Sequence, residues 1–340
     1  MLFDEFEGIP EGLLDISVRE IKAICPRPTL LHLGGRREPV LFVSLLLHGN
    51  EDVGLVAVQR LLKRYVNREL PRNLSLFIGN VDAAEQGVRY LSHQIDFNRA
   101  WPGSDLPVTP THAMLKEITD RVVARGVFAS IDLHNNTGRN PLYGCVSSLD
   151  AEHLQLASMF SRTVVYFTRP KGVQTGAFIA HCPSVTCECG KIGDESGVEH
   201  AVELIDACLH QQDFVDHQLA PGDIHIFHTV ARIQIRNGCS IAFHPDEADI
   251  VFRNDLDALN FVELKAGDSL ANVLGSMSDD FHIRDESGRD VTNEFLICKN
   301  GHVQFRRDTM PSMLTRNIEV IRQDCLGYLM ERWPQPTEAL

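Results

Sequence analysis

Positive charge and long apolar runs are both scarce in this sequence of 340 residues. It has 32 lysine and arginine residues against 46 aspartates and glutamates, which gives a formal net charge of −14. Because nucleic-acid phosphates are bound by basic surfaces, this balance argues against a nucleic-acid partner. No run of ~18 apolar residues is present to span a membrane, and the first residues are acidic, unlike those of a signal peptide. We therefore expect a cytoplasmic protein that does not bind a membrane.

Cysteine usage gives no indication of a disulfide framework. The nine cysteines are an odd number, are scattered along the chain, and lie in several cases inside apolar runs. This distribution is typical of reduced thiols. Cys182, Cys187 and Cys189 are close in sequence, but they lack the two matched C-x-x-C pairs of a structural zinc site. We interpret them as packing residues.

The apolar pattern alternates between strand-like and helical segments. Runs that predict buried strands lie at residues 41–47, 74–79, 127–133, 163–167 and 184–189. Helical patterns lie at residues 52–66, 110–125, 150–161 and 196–214. This alternation predicts an α/β fold in which helices cover a mostly parallel or mixed sheet.

The pattern changes in the last third of the chain. Short β-like runs follow one another there, separated by Asp, Asn and Gly turns, among them ARIQI, ADIVF, FLICK and HVQFR. The chain is also longer than is usual for one domain. We therefore predict an α/β domain at residues 1–218 and a smaller β-rich domain at residues 219–340.

The most informative local motif is H-G-N-E, which joins the first strand of the α/β pattern to its first helix. It places His48 after a strand end and Glu51 at a helix start, while His134 ends another predicted strand. Because ligands gather where parallel strands end, we expect these three side chains to lie together. Two imidazoles and a carboxylate are one of the sets that hold catalytic zinc and leave a position open. The sequence thus predicts one Zn²⁺ per chain, bound by His48, Glu51 and His134.

A plainer interpretation of these residues stays open. The chain has 15 histidines, and a single histidine is more often a surface or hydrogen-bonded core residue than a ligand. The three side chains could then be helix caps and hydrogen-bonding groups at loop ends. Asp132 likewise either orients His134 as a hydrogen-bond acceptor or caps a local turn. The combination of H-x-x-E and D-x-H at two strand ends favours the metal site.

Glu188 is the carboxylate best suited to acid–base chemistry. It stands alone in the β-like run SVTCECG, where a charge among apolar neighbours is costly unless it has a partner. In amide hydrolysis such a group takes the proton of the attacking water and passes it to the leaving amine. The alternative is an edge-strand glutamate that faces water.

Residues 80–110 show little periodicity, as is typical of a binding loop, and contain Arg89, Asn98 and Arg99. Guanidinium groups bind carboxylates through paired hydrogen bonds and also stabilise an oxyanion beside a metal. The residues alone do not divide these two tasks between the arginines. They also leave open a loop that is held by surface salt bridges.

Four motifs occur in order along the chain: H-G-N-E at 48–51, Arg89-Tyr90 with D-F-N-R at 96–99, D-L-H-N-N-T at 132–137, and V-T-C-E-C-G at 185–190. This series resembles the succinylglutamate desuccinylase and aspartoacylase family of zinc carboxypeptidase-like, M14-type hydrolases. The resemblance implies a fold of the zinc carboxypeptidase type, with a C-terminal β domain that narrows the entrance to the zinc site.

The resemblance also implies roles for the loop residues. Arg89 would polarise the scissile carbonyl, Asn98 and Arg99 would grip a substrate carboxylate, and Glu188 would be the catalytic glutamate. The chain departs from aspartoacylase in a longer spacer between Arg89 and Arg99, and in Phe178, which stands where that enzyme has a substrate-binding arginine. We therefore expect its acyl amino acid substrate to differ.

These observations predict a zinc-dependent amidohydrolase that removes an acyl group, such as succinyl or acetyl, from a small N-acylated amino acid. The predicted partner is a small carboxylate-bearing substrate, and a homodimer is left open. Two alternatives remain. One is a metallocarboxypeptidase that acts on short peptides, and the other is a catalytically silent small-molecule binding protein of the same fold.

Overall fold

The computed structural model describes residues 2–214, 219–220, 222–275 and 277–334. Its strands are β1 (Asp4–Glu7), β2 (Thr29–Leu33), β3 (Val40–Leu45), β4 (Leu74–Ile78), β5 (Val127–Asn136), β6 (Tyr143–Val146), β7 (Thr163–Tyr166), β8 (Ser184–Lys191), β9 (His225–Ile235), β10 (Ile241–Phe243), β11 (Ile250–Phe252), β12 (Ser269–Val273), β13 (Phe281–Asp285), β14 (Leu296–Lys299), β15 (His302–Phe305), β16 (Met310–Ser312) and β17 (Gly327–Arg332). Its α-helices are α1 (Val53–Arg64), α2 (Val81–Gln86), α3 (Pro110–Ala124), α4 (Ala151–Phe160), α5 (Gln174–Phe178), α6 (Glu195–His210), α7 (Met277–Asp280), α8 (Thr292–Phe295) and α9 (Ile318–Gln323). Short 3-10 helices lie at Val18–Ala23, Phe97–Arg99 and Leu256–Leu259.

Two sheets organise the described part of the chain. The larger has twelve strands in the order β1-β2-β4-β3-β5-β8-β6-β7-β9-β17-β16, and β13 also pairs with β9. Its central strands β4, β3, β5 and β8 are parallel, whereas β6 is antiparallel to β8. The smaller sheet has five strands in the order β10-β11-β12-β15-β14. The parallel centre brings the carboxyl ends of β3, β5 and β8 to one edge.

Helices cover both faces of the parallel centre because alternate residues of its strands point to opposite sides. Val43 and Leu45 belong to the same hydrophobic cluster as residues of α1 and α6. Phe42 belongs to the cluster on the other face, with residues of α3 and α5. Phe178 of α5 is fully buried there, with its ring centroid 5.0 Å from that of Phe42. Its place in the core explains why an apolar side chain occupies this position.

The predicted fold class is confirmed: the structure is a mixed α/β fold with a helix-covered, mostly parallel central sheet and a β-rich C-terminal region. Every predicted strand and helix of the α/β pattern has a counterpart, namely β3, β4, β5, β7 and β8, and α1, α3, α4 and α6. The sequence pattern did not indicate β6, which is only four residues long.

The large sheet continues beyond the predicted domain boundary. Strands β9, β13, β16 and β17 belong to it, although all of them follow residue 218. The small sheet, in contrast, is built only from residues after that boundary. Residue 218 and Pro221 lie outside the described residues, and the division into 1–218 and 219–340 stays a prediction. None of the described helices combines the length and apolar character needed to cross a bilayer.

Candidate metal centre

The loop between β3 and α1 carries the first two candidate ligands. Directly after β3, Leu46 adopts a left-handed backbone conformation with a φ of 56°, which is uncommon for a residue other than glycine. This turn precedes His48, and Glu51 lies just before the start of α1. A Cβ atom on Gly49 would lie 2.2 Å from the backbone of α2, so this position in the loop admits no side chain. The loop is therefore held closely against the helix beneath it.

The third candidate ligand, His134, lies near the end of β5. The parallel register of β3 and β5 places Ser44 opposite Asp132, and Ser44 Oγ donates to Asp132 Oδ1 at 2.6 Å. On the other side of β5, Glu188 of β8 lies opposite His134. Strand pairing thus brings the separate motifs to the same edge of the sheet.

The three candidate ligands converge on one point. Glu51 Oε1 lies 2.8 Å from His48 Nδ1, and Glu51 Oε2 lies 2.8 Å from His134 Nδ1. The two Nδ1 atoms are 3.2 Å apart. All three side chains are buried, and their ligand atoms lie within 4.8 Å of one another. The structure therefore brings together the residues that the sequence singled out.

The outer nitrogen of each histidine faces a carboxylate. His48 Nε2 is 3.1 Å from Asp96 Oδ1, and His134 Nε2 is 2.8 Å from Asp132 Oδ2. A neutral imidazole that donates its Nε2 proton presents an unprotonated Nδ1. Two such lone pairs at 3.2 Å repel each other unless a cation lies between them. The donor set therefore fits zinc, whose tetrahedral sites use nitrogen ligands at ~2.0–2.1 Å.

The electrostatics of the centre also favour positive charge. Burial opposes a charged imidazole, as does Arg89 at His48, yet Glu51 and Asp96 raise the pKa of His48. Burial likewise opposes charge at His134, but the carboxylates of Asp132 and Glu51 raise its pKa well above the ordinary value. The pKa of Glu51 is lowered, against the effect of its burial, by the two histidines. A cation at this point would meet carboxylates that are already ionised.

Glu188 differs from the other carboxylates of the site in its partners. It is 5% exposed, and its Oε2 has no hydrogen-bond partner among the described residues. Burial raises its pKa to about 7; His134 acts in the opposite direction, and Glu51 adds to the increase. Glu188 lines the same cavity as His48, Glu51 and His134. It is therefore a buried carboxyl group that can exchange a proton near neutral pH.

Arg89 lies beside the metal centre. Its Nη1 is 3.8 Å from Glu51 Oε1, while its Nε and Nη2 donate to Asp96 Oδ2 at 3.2 and 2.9 Å. Its backbone oxygen accepts a hydrogen bond from Gly49 N at 3.0 Å, which ties it to the ligand loop. This position is compatible with the role of polarising a carbonyl, and that role stays a prediction.

Asn98 and Arg99 make different contacts although they are adjacent. Asn98 Nδ2 lies 3.3 Å from Asp132 Oδ2 and 3.2 Å from His134 Nε2, so its amide supports the back of the metal centre. Arg99 Nη2 donates to Asp324 Oδ2 at 3.1 Å. Both residues line the cavity. Their predicted grip on a substrate carboxylate stays a prediction.

Two carboxylates of the site received no role from the sequence. Asp96 contacts both His48 and Arg89. It could have been found from the sequence, because it belongs to the same D-F-N-R motif as Asn98 and Arg99. Asp324 follows α9 and is 225 residues away from Arg99 along the chain, and no motif near it points to the site. Only the tertiary structure identifies it.

A cavity of about 130 Å³ opens beside these residues. Its wall includes candidate ligands, Glu188, the loop arginines, and residues of β6 and β7. The C-terminal part of the chain also contributes to this wall, through Thr229, Ser312, Met313, Val320, Asp324, Cys325 and Tyr328. A substrate in this cavity would therefore contact residues from both predicted domains.

Comparison with known proteins finds a family match for the central region of the chain. Residues 39–204 match the family model of the succinylglutamate desuccinylase/aspartoacylase catalytic domain, which confirms the predicted resemblance. Among curated proteins, no significant match to the chain is found.

Solved structures show a similar fold over most of the chain. The succinylglutamate desuccinylase from Chromobacterium violaceum has 17% sequence identity and a TM-score of 0.58, and the match covers 89% of this chain and 87% of that chain. Murine aminoacylase 3 has 15% identity and a TM-score of 0.53, and the match covers 88% of this chain and 97% of that chain. At these identities the similarity concerns the fold alone.

Proposed function

We propose that this chain, whose residues 39–204 match the model of the succinylglutamate desuccinylase/aspartoacylase catalytic domain, is a zinc-dependent amidohydrolase. The proposed reaction is hydrolysis of the amide bond in a small N-acylated amino acid or a similar conjugate. One observation carries the proposal. The buried cluster of His48, Glu51 and His134 has two Nδ1 atoms 3.2 Å apart and shares its cavity with Glu188, whose Oε2 has no partner in the described chain.

The proposed metal ligands are His48, Glu51 and His134, with Asp96 and Asp132 orienting the imidazoles from behind. When bound, zinc lowers the pKa of a water at its open position and polarises the substrate carbonyl.

Glu188 supplies proton transfer in the proposed reaction. Its carboxylate takes a proton from the attacking water as the new C–O bond forms at the carbonyl carbon. It then gives a proton to the amide nitrogen as the C–N bond breaks, so that a carboxylic acid and an amine leave. A pKa of about 7 suits both steps, since a group titrating near the working pH can accept and return a proton. Arg89, beside Glu51, is positioned to stabilise the oxyanion that forms between the steps.

The proposal is tested by elemental analysis of the purified protein together with amine release from N-succinyl, N-acetyl and N-formyl amino acids. We expect about one zinc per chain, as for a catalytic site with three protein ligands, and release that a chelator abolishes. Lack of any affinity for metal would overturn the proposal. Bound zinc with cleavage only of short peptides would support the carboxypeptidase alternative, and bound zinc with no turnover of either class would support the binding protein.

His134→Ala provides a direct test of the ligand set. Removing one of three ligands should reduce the zinc content of the dialysed protein well below that of the wild type. His153→Ala is the matched control, because His153 is also buried and neither of its ring nitrogens has a partner among the described residues. It lies on α4, away from the cavity, and should leave zinc content unchanged. Wild-type zinc content in His134→Ala would remove His134 from the ligand set.

The cytoplasmic location, the small carboxylate-bearing substrate and the homodimer remain proposals. The family resemblance supports the small carboxylate-bearing substrate. Sedimentation of the purified protein measures the oligomeric state, and fractionation of the cells that produce it measures the location.

A further inference from the structure

Three arginines in and beside the cavity wall converge on a single carboxylate. Asp324 Oδ1 accepts from Arg232 Nη2 at 2.5 Å, while Asp324 Oδ2 accepts from Arg99 Nη2 at 3.1 Å and from Arg89 Nη2 at 3.3 Å. We call Arg89, Arg99 and Arg232 the arginine cluster. Convergent guanidinium groups are the usual means of binding a carboxylate. Asp324 thus occupies the position that a carboxylate ligand would take.

Asp324 is held in this position by its backbone as well as by its side chain. Its backbone oxygen accepts from Arg232 Nη2 at 2.7 Å and from Gln234 Nε2 at 3.4 Å, both on β9. Its amide donates to Val320 O at 2.9 Å at the end of α9. Its side chain is only 14% exposed. Moving the carboxylate away would leave Arg99 and Arg232 without a carboxylate partner among the described residues.

We propose that Asp324 is a specificity-determining residue, which fills the carboxylate-binding position of the arginine cluster and selects substrates whose group at this position is uncharged. A second carboxylate that contacted the same nitrogens would lie beside Asp324. Two like charges in a buried site repel each other strongly. Substrates that lack a free carboxylate at this position avoid that repulsion.

Part of the cavity wall is apolar and favours an uncharged occupant. It includes the side chains of Cys145, Val165, Phe167, Val173, Met313 and Val320. Contact with this wall removes apolar surface of a ligand from water, which favours binding. The inference rests on the proposed function in that it takes this cavity as the substrate site. It narrows the proposed substrates to amide conjugates without a free carboxylate at the arginine cluster, and it replaces the predicted grip of Arg99 on a substrate carboxylate.

The test measures binding of succinate and of its half-amide, succinamate, to the zinc-loaded protein by calorimetry. Both compounds keep one carboxylate that can bind the zinc, so they differ only at the other end. Wild-type protein should bind succinate no more tightly than succinamate. Asp324→Ala should bind succinate about tenfold more tightly than the wild type, or better. In this variant the arginine cluster no longer donates to Asp324 and can donate to a succinate carboxylate, and hydrogen bonds between charged groups are strong. Asp324→Ser should give the same gain and serves if the alanine variant does not fold, since its hydroxyl still accepts a hydrogen bond.

Asp257→Ala is the matched control. Asp257 has a side chain 12% exposed and pairs with Lys191 and Arg139, but it lies outside the cavity wall. This variant should bind succinate like the wild type. An equal gain in succinate affinity in Asp257→Ala would overturn the inference. The gain would then come from the loss of one negative charge anywhere in the protein, and not from the position of Asp324.

Two further results would also overturn it. One is a folded Asp324→Ala or Asp324→Ser protein that binds succinate no better than the wild type. The other is a wild-type protein that already prefers succinate to succinamate by about tenfold. Because the measurement is of binding, it is separate from turnover. Failure of amine release across all substrates would count against the proposed function and leave the binding result interpretable.

Discussion

The carboxylates around the candidate metal centre differ in their hydrogen-bond partners. Asp96 and Asp132 each accept from the outer nitrogen of a histidine, so their negative charge is used to orient the imidazoles. Glu188 has an Oε2 without a partner in the described chain, and burial raises its pKa to about 7. An ionised, paired carboxylate cannot readily exchange protons, whereas a buried one that titrates near neutrality can. Glu188 is therefore the residue whose charge state, rather than its mere presence, should control turnover.

Glu188→Gln tests this conclusion at the scale of one functional group. Glutamine has nearly the same shape but cannot accept the proton of the attacking water, so amine release should fall by ~10²- to 10⁴-fold. Zinc content should be unchanged because Glu188 is not among the proposed ligands. Glu203→Gln, at an exposed position on α6, is the control and should keep both activity and zinc. Activity within a few-fold of the wild type in Glu188→Gln would remove Glu188 from the acid–base role.

At the scale of secondary-structure elements, the centre depends on how closely the ligand loop approaches α2. Gly49 lies between the two ligands of this loop, and the backbone of α2 leaves no space for a Cβ atom there. The same residue donates its amide hydrogen to Arg89 O. Helix α2 thus contacts the loop that carries the first two candidate ligands, and this loop is bonded to the arginine beside them.

Gly49→Ala should therefore displace the loop from α2. Inserting one methyl group into a packed contact costs ~1–3 kcal/mol of unfolding free energy, and the shifted ligands should also weaken zinc binding. Gly34→Ala is the matched control, because Gly34 is a loop glycine at which an added Cβ atom would have no neighbouring atom within 4 Å. Urea unfolding and zinc titration of the two variants measure both effects. Equal stability and zinc affinity in the two variants would show that the loop adapts without cost.

The elements around the site were predicted to different extents. Long apolar runs such as that of β5 carry a clear signal, because burial on both faces requires nearly continuous apolar residues. Strand β6 (YGCV) is interrupted by a glycine and lacks such a run, although it pairs with β8 and places Tyr143 opposite Glu188. Register and neighbour choice depend on contacts between distant segments. The pairing of β6 with β8 could therefore not be obtained from local sequence.

At the scale of the whole molecule, Asp324 connects distant parts of the chain. It follows α9 in the C-terminal region, while Arg89 and Arg99 precede α3 and Arg232 lies on β9. Although burial opposes its ionisation, these three arginines lower the pKa of Asp324 to about 2, from an ordinary value of 3.8. The ionised carboxylate therefore stabilises the folded chain.

The sign of this effect predicts the acid sensitivity of the protein. Because the folded pKa of Asp324 lies below its ordinary value, its contribution is complete above pH 3.8 and is lost as the pH falls through about 2. The shift corresponds to about 2 kcal/mol of unfolding free energy. When the pH falls from 3.8 to about 2, Asp324→Asn should lose about 2 kcal/mol less unfolding free energy than the wild type loses. Urea unfolding of the chelator-treated protein at several pH values measures this difference. Asp257→Asn is the control: it retains Asp324 and should keep the acid dependence of the wild type. Identical pH profiles for the wild type and Asp324→Asn would contradict the prediction.

The sequence by itself determined the fold class and the set of residues that meet at the candidate metal centre. His48, Glu51 and His134 could be selected because each lies at the end of an element with a strong local pattern, and parallel strands bring such ends to one edge. The tertiary structure alone decided the partners of the arginines. Arg89 and Asp324 are 235 residues apart in the chain, and their contact depends on how β9, α9 and the loop before α3 fold against one another. Local propensity carries no information about such a contact, because its energy arises only after the distant segments have packed together.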